Sequence, residues 1–185
     1  SALAIDKVRT KELFRKAGLK CPKGTVETKN DLRFMETYSM PFVIKPIDQG
    51  SSVGVNIIKF GQNNVDQIMK NWNFGDSFLV EEFIPGRELT VGVLDGEPLC
   101  VTEITSDRGF YDYNAKYEAG GSVHVYPAHL PDLITTQALD AALCAHKTLG
   151  CRGVTRTDFR YDDTKKALGE LYLLEINTQP GMTDT

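Results

Sequence analysis

The chain has 185 residues, of which 41% are hydrophobic, and it carries a formal net charge of −4. This length suffices for one domain with a sizeable core or for two small lobes. The acidic balance argues against nucleic acid as a partner, and no apolar run reaches the roughly 18 residues of a membrane-spanning helix. The four cysteines are scattered without a C-x-x-C pair, which favours reduced core thiols and a cytoplasmic location.

The first half of the chain alternates helical and strand patterns. Asp6 is a candidate N-cap for a helix from Lys7 to about Ala17, with Gly18 as its stop. A lone lysine at a helix start is usually solvated, and the pattern alone predicts this for Lys7. Further strands are expected at residues 25–27, 42–45, 55–60 and 78–84, and further helices at residues 30–38 and 63–72.

A loop rich in glycine and serine follows the apolar strand that ends at Lys45. A lysine beside such a strand needs an anionic partner or an escape to solvent. Residues 48–54, DQGSSVG, offer backbone N–H groups and the hydroxyls of Ser51 and Ser52 to a phosphate. This is not the Walker pattern, and an ordinary hairpin turn is the alternative. With Lys45 just before it, we favour a flexible lid over a polyphosphate.

The second half begins with a predicted β-hairpin, Arg87–Leu94 and Glu97–Ile104, joined by the type I′ turn sequence Asp95-Gly96. Residues 106–122 then carry three tyrosines, tandem glycines and a lysine without a regular pattern. So long a loop is usually functional or disordered, so we predict a lid that closes over a ligand, with an exposed connector as the alternative. A helix is expected from residue 132 to about 149, and its His146 is expected on the surface.

The last two strands carry polar side chains at a spacing of two residues. Arg156 and Asp158 share one face of the first strand, and Glu175 and Asn177 share one face of the second. The turn cluster at residues 162–165 predicts that these strands pair as a hairpin, which brings the four side chains together. Two carboxylates and an amide oxygen suit Mg²⁺. The alternative is an ion-pair network in which Arg156 neutralises both carboxylates.

The order of motifs in this chain resembles that of the D-alanine–D-alanine ligases, which belong to the ATP-grasp superfamily. The motifs are V-I-K-P, Q-G-S-S-V-G, V-E-E-F-I-P-G-R-E, F-Y-D-Y-N-A-K-Y, R-x-D and E-I-N-T-x-P-G-M, and they extend over essentially all of the chain. The resemblance implies an α+β fold of two lobes, with antiparallel sheets flanked by helices and a nucleotide cleft between them. Residues 1–81 would form the lobe with the phosphate lid, and residues 82–185 the lobe with the metal and oxyanion site.

The resemblance also implies a reaction and its substrates. ATP would phosphorylate the carboxylate of one D-alanine, and the amine of a second D-alanine would attack the acyl phosphate, giving D-alanyl-D-alanine for peptidoglycan synthesis. Another ATP-grasp carboxylate–amine ligase, a D-alanine–D-lactate ligase and a non-catalytic nucleotide-binding module are the alternatives. A homodimer of the full-length protein is expected, with neither nucleic acid nor membrane as a partner.

Individual roles follow from matching the motifs position by position. For ATP, the resemblance assigns the phosphates to Lys7, Lys45, Lys116, Ser51, Ser52 and Val53, the adenine to Glu81, Glu82, Phe83 and Ile84, and the ribose to Glu88. For the chemistry, it assigns two Mg²⁺ ions, or Mn²⁺ in their place, to Asp158, Glu175 and Asn177, the oxyanion to Arg156 and the Gly181 N–H, the γ-phosphate to Lys116 and the acceptor side to Tyr117.

The family's N-terminal domain and the helix that follows the last motif have no counterpart in the chain. We therefore expect the chain to be part of a longer protein. By itself it is expected to bind nucleotide without making dipeptide.

Overall fold

The structure, a computed structural model of the chain, describes residues 2–31, 35, 38–50, 52–61, 64–105, 123–165 and 167–181. The predicted lid at residues 106–122 lies outside this part of the chain, as does most of the predicted helix at residues 30–38.

The described residues contain four helices and nine strands. The helices are α1 (Ala2–Ile5), α2 (Lys7–Lys16), α3 (Val65–Asn71) and α4 (Asp132–Thr148). The strands are β1 (Gly24–Thr28), β2 (Phe42–Lys45), β3 (Asn56–Ile58), β4 (Ser77–Glu82), β5 (Arg87–Leu94), β6 (Glu97–Thr105), β7 (Val123–Val125), β8 (Val154–Asp162) and β9 (Glu170–Asn177). Neither α1 nor β7 was predicted. No helix in the described ranges has the length and apolar character that crossing a membrane requires.

The chain divides into two compact units. The smaller unit is Pro22–Phe83, and the larger unit combines Ser1–Cys21 with Ile84–Thr185. Each unit contains one antiparallel sheet, in agreement with the predicted α+β class.

The smaller unit is built on a sheet of order β1-β4-β2-β3. Alternation along the strands turns Phe42 and Ile44 of β2, with Phe78 and Val80 of β4, to one side of the sheet. These side chains form a buried core with Val65 and other apolar residues of the unit. The intervening residues of β2 and β4, which include a lysine and a glutamate, lie on the opposite face.

The larger unit is built on a sheet of order β7-β6-β5-β8-β9, and α4 packs on it. Apolar residues of β5, β8 and β9 meet those of α4 in the main hydrophobic core. His146 of α4 lies within this packing and is 4% exposed, and its Nδ1 is 2.9 Å from the buried Thr155 hydroxyl. The prediction of a surface position for His146 was therefore wrong, because the hydroxyl satisfies the ring inside the protein.

The first 21 residues belong to the larger unit, whereas residues 1–81 were expected to form one lobe. Asp6 caps α2 as predicted, accepting from the N–H groups of Val8 and Arg9. Phe14 of α2 is fully buried in the core of the larger unit, and the Leu173 N–H donates to the Lys20 carbonyl at 2.8 Å. Because Phe14 is buried in that core, α2 belongs to the larger unit, although it precedes the smaller unit in the sequence.

The four cysteines form no disulfide with one another, as the spacing predicted, but Cys21 alone among them is buried. The expectation that they would all be core residues was too broad.

Candidate functional site

One face of the larger sheet carries polar residues in register across three strands. Thr90 of β5 lies opposite Asp158 of β8, which in turn lies opposite Glu175 of β9. Residues directly opposite one another in an antiparallel pair project to the same face. The next row pairs Arg156 with Asn177, so the hairpin gathers the four predicted side chains on one surface.

A bulge in β9 produces this alignment. Phe159 pairs with Leu173, while Asp158 pairs with Glu175, so Leu174 is an extra residue between them. Without it, Asp158 would lie opposite Leu174. The bulge lets Leu173 remain in the core while Glu175 joins the polar face, and bulges commonly re-aim side chains in this way.

Asp158 is held from two sides. Its Oδ1 accepts from Arg156 Nε at 2.9 Å and from the Thr90 hydroxyl at 2.7 Å, and its Oδ2 accepts from Arg156 Nη2 at 3.0 Å. A bidentate guanidinium fixes the plane of the carboxylate. For Asp158 the structure thus shows the ion-pair geometry that the sequence analysis kept as its alternative to a metal site.

Glu175 contacts a different cation. Its Oε2 lies 3.7 Å from the Nζ of Lys7, the first residue of α2. Lys7 is only 7% exposed, so the expectation of a solvated lysine was wrong. Since α2 packs against β9, its first turn lies beside the polar face.

The third candidate metal ligand shapes the end of β9. The Asn177 Oδ1 accepts the Gln179 N–H at 3.0 Å, which bends the chain towards Gly181. A Cβ at Gly181 would meet no described atom within 4 Å, so crowding by the described residues does not explain a glycine there.

The donor set suits a hard divalent cation. It contains two carboxylates and one amide oxygen on adjacent strands, the ligand type that Mg²⁺ prefers. No cluster of three or more His, Cys, Asp or Glu side chains that could hold a metal occurs among the described residues. The candidate set has only two such residues, because its third donor, Asn177, is an amide.

The smaller unit contains a buried ion pair between two predicted nucleotide ligands. Lys45 Nζ lies 2.6 Å from Glu81 Oε2, and their side chains are 10% and 3% exposed. Lys45 is opposite Leu79 and Glu81 is opposite Val43, so the two charges are diagonal neighbours on the face away from the unit's core. The sequence left Lys45 either an anionic partner or an escape to solvent, and in this structure it has an anionic partner, Glu81.

The space for Glu81 depends on a glycine in the adjacent strand. Gly24 of β1 lies opposite Glu81, and a Cβ there would stand 2.6 Å from Glu81 Cγ and 2.7 Å from the Val80 carbonyl. Glu82, the next residue, forms two hydrogen bonds with the backbone of Lys23. Its carboxylate accepts the Lys23 N–H at 2.9 Å, and its own N–H donates to the Lys23 carbonyl at 2.9 Å.

The described part of the predicted phosphate lid is a tight turn. Ser52 has a positive φ of 59°, and the Val53 N–H donates to the Gly50 carbonyl at 3.1 Å. Gly54 has φ of 71°, and a Cβ there would stand 2.6 Å from the Phe74 ring. Ser51, Lys116 and Tyr117, which the sequence analysis also assigned to the site, lie outside the described residues.

The segment that leads into β5 carries the remaining predicted nucleotide ligands. Arg160 Nη1 lies 3.5 Å from Glu88 Oε2, and Arg160 also donates to the carbonyls of Ile84 and Gly86. Phe83 is the last residue of the smaller unit and Ile84 the first of this stretch of the larger one.

Three residues of these arrangements were not found from the sequence: Thr90, Gly24 and Arg160. Thr90 carried no signal beyond a strand position. Gly24 and Arg160 act on residues distant in sequence, so no local pattern could have revealed them.

The two antiparallel sheets and their helices define an ATP-grasp fold of the α+β class. The family model described as D-ala D-ala ligase C-terminus matches residues 13–185, and the chain belongs to this family.

The relatives agree with this membership. The D-alanine–D-alanine ligase of Granulibacter bethesdensis is 51% identical over 185 residues, which is 100% of this chain and 60% of that protein. The solved VanG D-Ala:D-Ser ligase of Enterococcus faecalis is 31% identical with a TM-score of 0.80, covering 98% of this chain and 54% of that one. The Bacillus anthracis D-alanine–D-alanine ligase complexed with ATP, 23% identical, shares the fold with a TM-score of 0.77 over 98% of this chain and 57% of that one. The chain thus spans about 60% of the length of the curated relatives it matches.

Proposed function

We propose that this chain supplies nucleotide-binding, metal-binding and oxyanion-stabilising residues of an ATP-dependent D-alanine–D-alanine ligase. The observation that carries the proposal is the register of β8 and β9, which sets Asp158 against Glu175 and Arg156 against Asn177. Membership of the ligase family and the 51% identity to a D-alanine–D-alanine ligase support the reaction type.

In the proposed reaction, a carboxylate oxygen of the first D-alanine attacks the γ-phosphorus of ATP, and ADP leaves. The amine of the second D-alanine then attacks the acyl carbon, and phosphate leaves from the tetrahedral intermediate after the amine loses a proton. Both steps concentrate negative charge on oxygen, so they require positioned cationic groups and N–H donors more than a covalent nucleophile.

The candidate site residues of the larger unit have the following roles in this proposal. Asp158, Glu175 and Asn177 would hold Mg²⁺, which when bound neutralises phosphate charge. Arg156, with its guanidinium plane fixed by Asp158, would face the oxyanion together with the Gly181 N–H. Lys7 would assist at the phosphates.

In the smaller unit, Lys45 would exchange part of its contact with Glu81 for the phosphates, and Glu81 would accept from the adenine amino group. Ser52 and Val53, with Ser51, would cover the phosphates. Lys116 and Tyr117 would act at the γ-phosphate and the acceptor side.

The proposal extends to the whole protein. It would act as a homodimer in the cytoplasm, where ATP is available. Mn²⁺ would substitute for Mg²⁺, because both accept oxygen ligands.

D-Serine is the second candidate acceptor, because a D-Ala:D-Ser ligase is 31% identical and shares the fold with a TM-score of 0.80. Phosphate release by the whole protein, measured with D-alanine alone and with D-serine or D-lactate added, separates these acceptors. The proposal expects release with D-alanine alone. A requirement for D-serine or D-lactate would assign a different ligase.

Binding tests the site directly. Calorimetric titration of this chain with ATP should show binding that requires Mg²⁺ and is lost in Glu175→Gln. Glu170→Gln is the matched control, because it neutralises a glutamate at the other end of the same strand, where it pairs with Lys20 and Lys165 and not with the candidate metal ligands. Equal Mg²⁺ dependence in wild type and Glu175→Gln would contradict the metal assignment, and turnover by the whole Glu175→Gln protein at the wild-type rate would contradict it again.

A further inference from the structure

Arg160 of β8 binds residues 84–88, the segment that leads into β5 and includes its first two residues. Its Nε donates to the Ile84 carbonyl at 3.1 Å, and its Nη2 donates to the Gly86 carbonyl at 2.7 Å. Its Nη1 is 3.5 Å from the Glu88 carboxylate, which lies directly opposite in the sheet. All three guanidinium nitrogens are thus directed at residues 84–88.

A second contact holds the same segment against the same strand. Gly86 has φ of 89°, a region that favours glycine, and a Cβ there would stand 2.1 Å from the Tyr161 carbonyl. The turn at Gly86 therefore rests on the backbone of β8 immediately after Arg160. Two independent contacts, one electrostatic and one steric, fix this turn.

The Arg160 side chain is only 13% exposed, and that of Glu88 is 15% exposed. Burial lowers the pKa of Arg160, and Glu88 opposes that shift. A guanidinium remains charged in proteins, so its burial has to be offset by acceptors. Glu88 and the two carbonyls supply them, and the same interactions fix the positions of those three acceptors.

We propose that Arg160 is the positioning residue of the adenosine-binding segment, holding the Ile84 backbone for the adenine and the Glu88 carboxylate for the ribose. This inference rests on the proposed function, which assigns ATP to the chain. It predicts that Arg160 governs affinity for the nucleoside part of ATP and leaves affinity for the phosphates unchanged.

Arginine is specifically required for this arrangement. Its planar fork reaches two carbonyls and a carboxylate at once, whereas a lysine ammonium is a single point charge on a flexible stem. Arg160→Lys therefore keeps the charge near Glu88 and loses the fixed geometry of the turn. Arg160→Gln keeps a planar donor without the charge and serves as the second variant.

The experiment compares two probes on the wild-type chain and each variant, in the presence of Mg²⁺: ATP and inorganic tripolyphosphate. The matched control is Arg87→Lys. Arg87 lies in the same segment and also forms a bidentate pair, with Glu103, but neither side chain is assigned a contact with the nucleotide. Circular dichroism establishes that each variant is folded at the temperature of the titration.

We expect Arg160→Lys to weaken ATP binding about tenfold, as for the loss of one or two charge-assisted hydrogen bonds, and tripolyphosphate binding by less than about twofold. Arg87→Lys should change neither. Parallel losses for both probes, or unchanged ATP affinity in a folded Arg160 variant, would overturn the positioning role. Absence of ATP binding in the wild type would instead refute the proposed function, and the inference with it.

Discussion

Replacing Lys45 with methionine would leave Glu81 buried without the ammonium group that lies 2.6 Å from it. The Glu81 side chain is 3% exposed, so water cannot replace the lost charge. Breaking one side of a buried ion pair typically costs about 3–5 kcal/mol, because the remaining charge stays desolvated. We expect Lys45→Met to lower the free energy of unfolding of the smaller unit by about that amount, a large part of the stability of a small domain.

The double variant Lys45→Met with Glu81→Met tests the physical cause. Removing both charges replaces the pair by apolar side chains of similar length, which is often neutral or stabilising. The double variant should therefore recover most of the stability that Lys45→Met loses. ATP binding should be absent from both variants, since the proposed function needs each side chain.

The chain offers its own probe for this assay. Its one tryptophan, Trp72, is 5% exposed in the core of the smaller unit, so its fluorescence follows the unfolding of that unit. Denaturant titrations at pH 7 would give the free energies of unfolding, with the exposed Lys59→Met as the control. A loss below about 1 kcal/mol for Lys45→Met, or a double variant no more stable than the single one, would refute the reasoning.

Three further predictions follow from the geometry. Lysine side chains and a tyrosine hydroxyl lower the pKa of Glu170 to about 2 from an ordinary 4.5; its contribution to stability is therefore present above pH 4.5 and lost as the pH falls towards 2, and Glu170→Gln should flatten that acid dependence in thermal melts. Thr90→Val removes the 2.7 Å hydrogen bond to Asp158 and should cost about 1 kcal/mol in Mg²⁺-dependent ATP binding, with Thr90→Ser close to wild type; equal affinities would show that Arg156 alone orients the carboxylate. Gly24→Ala would place a Cβ 2.6 Å from Glu81 Cγ and should destabilise the smaller unit by about 1–3 kcal/mol in the Trp72 assay, whereas a neutral result would mean that the glutamate relaxes freely.

Much of the fold could be predicted because its signals are local. The N-cap at Asp6 and the turn at Asp95-Gly96, where both residues have positive φ, depend on contacts within a few residues. The hairpin of β8 and β9 followed from two apolar runs around a turn cluster. Each feature is specified by neighbours in the chain, so the sequence alone carries the information.

The environment of each site residue could not be predicted in the same way. Lys7 is buried because α2 packs on β9, and His146 is buried because its ring forms a hydrogen bond with the Thr155 hydroxyl inside the protein. A helical pattern predicts which residues share a face of the helix, but it does not predict which other elements pack against that face. Both expectations failed for this reason.

The sequence by itself determined the classes of element, the polar pairs at a spacing of two, and the motif order that identifies the ligase family. Only the tertiary structure decided how those pairs are aligned. The extra residue Leu174 breaks the two-residue period of β9, so Asp158 meets Glu175 instead of an apolar neighbour. A bulge depends on how two strands pair across a sheet, and this pairing is a property of the folded chain.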